Sequence, residues 1–77
     1  MKQRASKREV LEFIKLKEII EVWQLRDKFH YTDQTARDKL SKLKKQGLVI
    51  NVPGARWILT VKGIARLRYF VERDNRG

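Results

Sequence analysis

The chain has 77 residues, no cysteine and a single histidine, and its 19 Lys and Arg against 9 Asp and Glu give a net charge of +10. This length suits one domain, which buries only about 60–65% of its unfolded surface, and the missing thiols exclude disulfides and thiolate metal sites. The apolar runs fall far short of the ~20 residues that cross a bilayer and nothing resembles a signal peptide, so a soluble cytoplasmic protein without membrane contact is expected.

In chain order, Met1 to Ala5 reads as a flexible basic arm. Ser6-Lys7-Arg8-Glu9 matches the S-x-x-E capping box, in which Ser and Glu each satisfy a terminal amide. Val10, Leu11, Phe13 and Ile14 then give one apolar face, predicting a helix to about Lys17. Ile19-Ile20 is a β-branched pair suited to a short edge strand. Val22, Leu25 and Phe29 form the buried side of a second helix, closed by a tight His30-Tyr31 turn that lets the Tyr31 ring drop into the core.

The tract from Thr32 to Val49 is the most informative part of the chain. Thr32 caps a helix predicted over 33–46, and Gly47 stands where a left-handed terminating residue is wanted. Its apolar stripe, Ala36, Leu40 and Leu43, is thin, and nearly everything else on it is polar or basic. Such a helix offers most of its circumference to a partner.

Leu48 to Thr60 alternates around Pro53-Gly54 as a hairpin. L-Pro-Gly favours type II geometry, which fits a two-residue hairpin badly, so a four-residue loop over 53–56 is expected. With a loop of two or four residues, Leu48, Ile50, Val52, Ala55, Trp57 and Leu59 share one face, and Val49, Asn51, Arg56 and Ile58 take the other. Thr60 caps a last helix from Val61 to about Arg73, with a flexible tail over 74–77. The expected order is α-β-α-α-β-β-α: mainly α with a small β-hairpin, an α+β single domain.

The charge is polarised along the chain. Arg37 to Lys62 holds seven basic residues and one acid, Asp38, whereas Glu9 to Glu21 holds two lysines and four acids. A polyanionic partner is therefore favoured over a merely solubilising surface. Catalysis is not expected: no nucleophile has an adjacent base, no Gly-rich phosphate loop is present, and a lone His30 makes a zinc site improbable. No metal or cofactor is called for.

Three segments carry a resemblance to winged helix-turn-helix domains of small prokaryotic transcriptional regulators of the MarR-like and PadR-like kind. Val22 to Phe29 stands where their supporting helix lies. Thr32 to Leu43 with Gln46-Gly47-Leu48-Val49 resembles the recognition helix and its exit into the wing. Leu59-Thr60-Val61-Lys62-Gly63 resembles the Leu-Thr-x-x-Gly start of their final helix. The chain departs from the pattern at His30, where the family often has Gly; at Trp23, where it often has Ser or Thr; and at Arg26, where a small residue is common.

The resemblance implies sequence-specific binding of double-stranded DNA, with the helix 33–46 in the major groove and the wing 48–60 on flanking backbone or minor groove. On the recognition helix the outward residues are Gln34, Thr35, Arg37, Asp38, Ser41 and Lys42. Gln34 is suited to adenine and Arg37 to the guanine N7 and O6 pair. Thr35 suits a phosphate or a thymine methyl, and Lys42 and Lys45 are better placed for phosphates. Asp38 either orients Arg37 or pairs with Lys42 four residues on. Arg56, at or beside the wing tip, is the natural minor-groove residue. Lys62 and Arg66, with Lys2, Arg4, Lys7 and Arg8, would extend the phosphate track.

Trp57 is expected in the core. Trp23, off the stripe of its helix, is expected to pack partly on helix one, or else to anchor a partner. The surplus apolar residues of the last helix, Val61, Ile64, Ala65, Leu67, Tyr69, Phe70 and Val71, suggest a homodimer through that helix and helix one. A nucleoid-associated transcription regulator without a small-molecule effector is thus one expectation. The other is a winged helix module that binds RNA or joins proteins in a larger assembly.

Overall fold

The computed structural model describes residues 6–75, so the expected basic arm and Arg76 and Gly77 lie outside the described residues. The order is α1 (Lys7–Lys17), β1 (Ile20–Glu21), α2 (Val22–Phe29), α3 (Asp33–Lys45), β2 (Val49–Val52), β3 (Arg56–Leu59) and α4 (Val61–Asn75). The three strands form one antiparallel sheet in the order β1-β3-β2. This mainly helical α+β arrangement is compatible with a winged helix. No helix among the described residues is long and apolar enough to cross a membrane.

Local chemistry accounts for most boundaries. Ser6 and Glu9 close both halves of the capping box on α1: the Glu9 N–H donates to Ser6 Oγ at 3.2 Å, and the Ser6 N–H donates to Glu9 Oε1 at 2.9 Å. The Thr35 N–H donates to Thr32 Oγ1 at 3.1 Å, starting α3 where its cap sits. At the other end Gly47 has φ +78°, the Gly47 N–H donates to the Lys44 carbonyl, and the Leu48 N–H to the Leu43 carbonyl. This is the Schellman closure, and it sends the chain straight into the sheet. His30 adopts the left-handed conformation (φ 60°) after α2, and the Tyr31 N–H bonds the Arg26 carbonyl at 3.0 Å. A histidine tolerates this better than a β-branched residue.

Two boundaries differ from expectation. The edge strand lies at Ile20–Glu21, one residue later than the β-branched pair suggests, because Ile20 is the member that faces the core. The last helix runs through Asn75, past the expected stop near Arg73.

The core joins Val10, Leu11 and Ile14 of α1, Leu25 of α2, Ala36, Leu40 and Leu43 of α3, and Leu67 of α4 with Ile20, Leu48 and Val49. Phe13 and Phe29 meet edge to face at 5.8 Å and Tyr31 packs beside Phe29 at 5.7 Å, extending this core under the turn between α2 and α3.

The hairpin breaks the expected alternation. Val52 pairs with Arg56, leaving three residues in the loop, Pro53, Gly54 and Ala55, of which Gly54 (φ +91°) and Ala55 (φ 58°) are left-handed. A loop of odd length inverts one strand relative to the other. Val49 and Asn51 therefore share a face with Leu59 and Trp57, while Ile50 and Val52 join Ile58 and Arg56 opposite. Val49 is fully buried and Ile50 is 45% exposed, the reverse of the even-loop arrangement. Leu48 stays buried because it precedes the strand, in the Schellman position that packs back on the helix end.

Candidate nucleic-acid interface

The surface of α3 divides by helical angle. Its three apolar side chains, Ala36, Leu40 and Leu43, are all buried, and Gln34, Asp38, Ser41 and Lys45 stand on the opposite side, exposed. Arg37 and Ser41 turn toward the hairpin. Lys42 turns toward α1, where Lys7 Nζ donates to Gln46 Oε1 at 2.9 Å. The Thr35 hydroxyl accepts from the Thr32 hydroxyl at 3.0 Å, which fixes it against the cap.

Asp38 does neither thing expected of it. Its carboxylate accepts from the Gln34 amide at 2.9 Å, one turn back on the same face, so it orients Gln34 and not Arg37 or Lys42. That bond uses one N–H of the exposed Gln34 amide and leaves its oxygen without a hydrogen bond among the described residues. Arg37, Lys42 and Lys45 have no hydrogen bond or ion pair among the described residues. Lys44, absent from the expected set, is also exposed in the last turn, where Lys42, Lys44 and Lys45 oppose the negative end of the helix dipole.

Arg26 proves to be a positioning residue between the two helices of the turn. Its guanidinium donates to Asp27 Oδ1 at 3.1 Å and to Asp33 Oδ1 at 3.0 Å, linking α2 to the first residue of α3. Those bonds, to Asp27 first and Asp33 second, hold its pKa above the ordinary guanidinium value. Asp33 is thereby neutralised at the end of α3 that is expected to approach DNA. The sequence signal for this is an Arg and an Asp seven residues apart across a turn, which becomes meaningful only when the turn angle is known.

Arg56 lies on the sheet face away from the core, with its guanidinium folded over the wing tip. Nε and Nη2 both donate to the Pro53 carbonyl, at 3.2 and 3.1 Å. A Cβ at position 54 would crowd Arg56 Nε, so Gly54 serves both the left-handed turn and this stacking. Of the supplementary cations, Lys62 lies against Gly47 at the end of α3, Lys7 is beside α3, and Arg8 pairs with Glu12 on α1 at 3.2 Å. Lys2 and Arg4 lie outside the described residues.

Between the start of α2, the hairpin-facing side of α3 and the wing runs an open cleft of about 570 Å³. Trp23, Arg26, Arg37, Ser41, Asn51 and Trp57 line it. Trp57 is half-buried, and Trp23 is 50% exposed, facing this cleft where packing on α1 was expected. Asn51 is steadied by a 2.9 Å bond from its amide to the Arg56 carbonyl across the hairpin.

No protein-family model and no curated protein matches the chain. Among the described residues no group of three or more His, Asp or Glu side chains is placed to hold a metal ion. The functional reading therefore stands on the geometry of α3, the cleft and the wing, and on charge.

Proposed function

We propose that this domain binds double-stranded DNA with sequence preference, as a winged helix-turn-helix regulator of transcription acting on the nucleoid. In this reading α3 enters the major groove and the hairpin lies on flanking backbone or minor groove. The observation that carries it is the complete segregation of α3: every apolar side chain is buried, and the exposed surface is polar with several unpaired cations. Gln34, held by Asp38, and Arg37 read base edges, with Ser41 beside them. Thr35, Lys42 and Lys45 grip phosphates and set register. Arg56 serves the wing by exchanging its bonds to the Pro53 carbonyl for the groove floor.

A homodimer through α4 and α1 belongs to the same reading. Val61 is 86% exposed and Tyr69 54% on α4, and Leu16 is exposed on α1, more apolar surface than two helices in water usually show outside an interface. Two copies would present two α3 helices to half-sites about one helical turn apart.

Selection of bound duplexes from a random pool tests the whole reading. A consensus with two-fold symmetry is the expected outcome, and an enriched pool without any consensus overturns sequence-specific recognition. Competition of labelled duplex DNA by single-stranded and duplex RNA decides the partner: if RNA displaces DNA, or if neither binds at low salt, the DNA assignment is wrong.

A further inference from the structure

Asp38 is the one acid among the residues from Arg37 to Lys62, and it stands exposed on the polar face of α3. A carboxylate there repels phosphate, so its use lies in what it does to a neighbour. No cation pairs with it among the described residues. Its one hydrogen bond is the 2.9 Å bond from the Gln34 amide, one helical turn back.

That bond has a polarity. A carboxylate can only accept, whereas a glutamine amide has a donating nitrogen end and an accepting oxygen end of nearly the same shape. A glutamine alone on a helix surface can turn either end to a partner. Beside Asp38 only one orientation makes the bond: the nitrogen faces the carboxylate, and the oxygen is the end left without a partner. The reverse orientation would set two acceptors against each other. Gln34 is thereby an acceptor of fixed direction, on a helix whose exposed Arg37, Lys42 and Lys45 can only donate.

We propose that Asp38 is a positioning residue for base recognition: by taking one N–H of Gln34 it makes the Gln34 oxygen the reading atom, and the pair selects a base that carries an exocyclic amine, adenine or cytosine, over guanine and thymine. The inference rests on the DNA-binding reading above and deepens it, by naming the class of base edge that α3 admits at one position. In the major groove only adenine N6 and cytosine N4 donate, whereas guanine offers N7 and O6 and thymine O4, all of them acceptors. A fixed acceptor finds its complement in the first two bases. Against the other two it leaves a desolvated lone pair facing another. The neighbouring Arg37, a donor only, has the opposite selectivity. Two adjacent residues of α3 thus read opposite classes of edge.

The test starts from the consensus selected by the full chain. Each of its positions is changed to the other three base pairs, and binding is measured by anisotropy of the labelled duplexes for the parent, Asp38→Asn and Gln34→Met. Asparagine keeps the shape of aspartate but offers an N–H as well as an oxygen, so either end of Gln34 can turn outward. Methionine keeps the length of glutamine and removes the amide. At one position the parent is expected to prefer adenine or cytosine on the contacted strand by about tenfold, and the consensus says which of the two amines is read. Each variant is expected to bring that preference within about twofold and to leave the other positions as they were. Both side chains are exposed, and a ratio of affinities measured on one protein does not depend on the fraction of it that is folded. A preference for guanine or thymine at the position sensitive to Gln34→Met overturns the inference and leaves the DNA reading intact. So does a preference that survives Asp38→Asn, since Gln34 then needs no partner to set it. A consensus in which no position responds to Gln34→Met overturns it as well, because the amide then reads nothing. A bound pool without any consensus removes both proposals together.

Discussion

Helices α3 and α4 are of similar length and both amphipathic, yet they meet solvent with opposite surfaces. α3 buries all three of its apolar side chains and exposes only polar ones. α4 buries Leu67 and half-buries Phe70 and Val71, while Val61, Ile64, Ala65 and Tyr69 remain exposed. The contrast separates two ways in which a small domain can be incomplete. A bare polar and cationic face is stable in water as it stands, whereas a bare apolar face costs free energy until another apolar surface covers it.

Four sets of substitutions test the contrast between α3 and α4, in falling order of effect. Leu40 is fully buried in the narrow stripe that holds α3, so Leu40→Ala is expected to cost about 2–5 kcal/mol of stability. Chemical denaturation measures this, and a loss below ~1 kcal/mol would mean that α3 is held by something other than its stripe. Gly63→Ala comes next. A Cβ there is driven into the Leu48 carbonyl and against the Leu59 side chain, so α4 must back away from the hairpin, at about 1–3 kcal/mol. An unchanged thermal midpoint would show that this contact is softer than its geometry.

Binding variants sharpen the α3 side. Arg37→Ala is expected to lose roughly 1–3 kcal/mol of specific binding and to relax preference at one base pair, and Lys45→Ala to weaken all sequences evenly and flatten the salt slope by about one unit. Identical behaviour of the two would abolish the distinction between the reading and gripping parts of the helix. The smallest change in stability belongs to α4. Val61→Ser combined with Tyr69→Ser is expected to alter stability by less than ~0.5 kcal/mol per site while dispersing the dimer in sedimentation equilibrium. A parent chain that stays monomeric across the concentration range removes the dimer from the reading, and α4 then carries its apolar surface for another reason.

Much of the site was legible because its determinants are local. Thr32, the spacing of Ala36, Leu40 and Leu43, and Gly47 each act within a turn or two of chain, and the structure places cap, stripe and left-handed terminator where those rules put them. The same holds for the Ser6–Glu9 capping box and for the Thr60 hydroxyl, which accepts from the Gly63 N–H at 2.9 Å. Asp38 was not legible: the expected partners were Arg37 or Lys42, but Gln34 lies equally within helical reach, and only side-chain placement selects it.

Which segments are helical, which side of α3 is apolar and where the charge lies follow from the residues in order, because period, capping and composition are properties of neighbouring residues. The tertiary structure decided the rest. The parity of β2 depended on whether the loop after Val52 was odd or even, and that in turn on left-handed conformations at Gly54 and Ala55. The need for Gly63 depended on how closely α4 approaches Leu48, and the role of Arg26 on the angle that brings Asp33 within 3.0 Å. The cleft that gathers Trp23 and Trp57 joins residues more than thirty positions apart. Alternation and helical period place a side chain on a face, but only packing decides what that face meets.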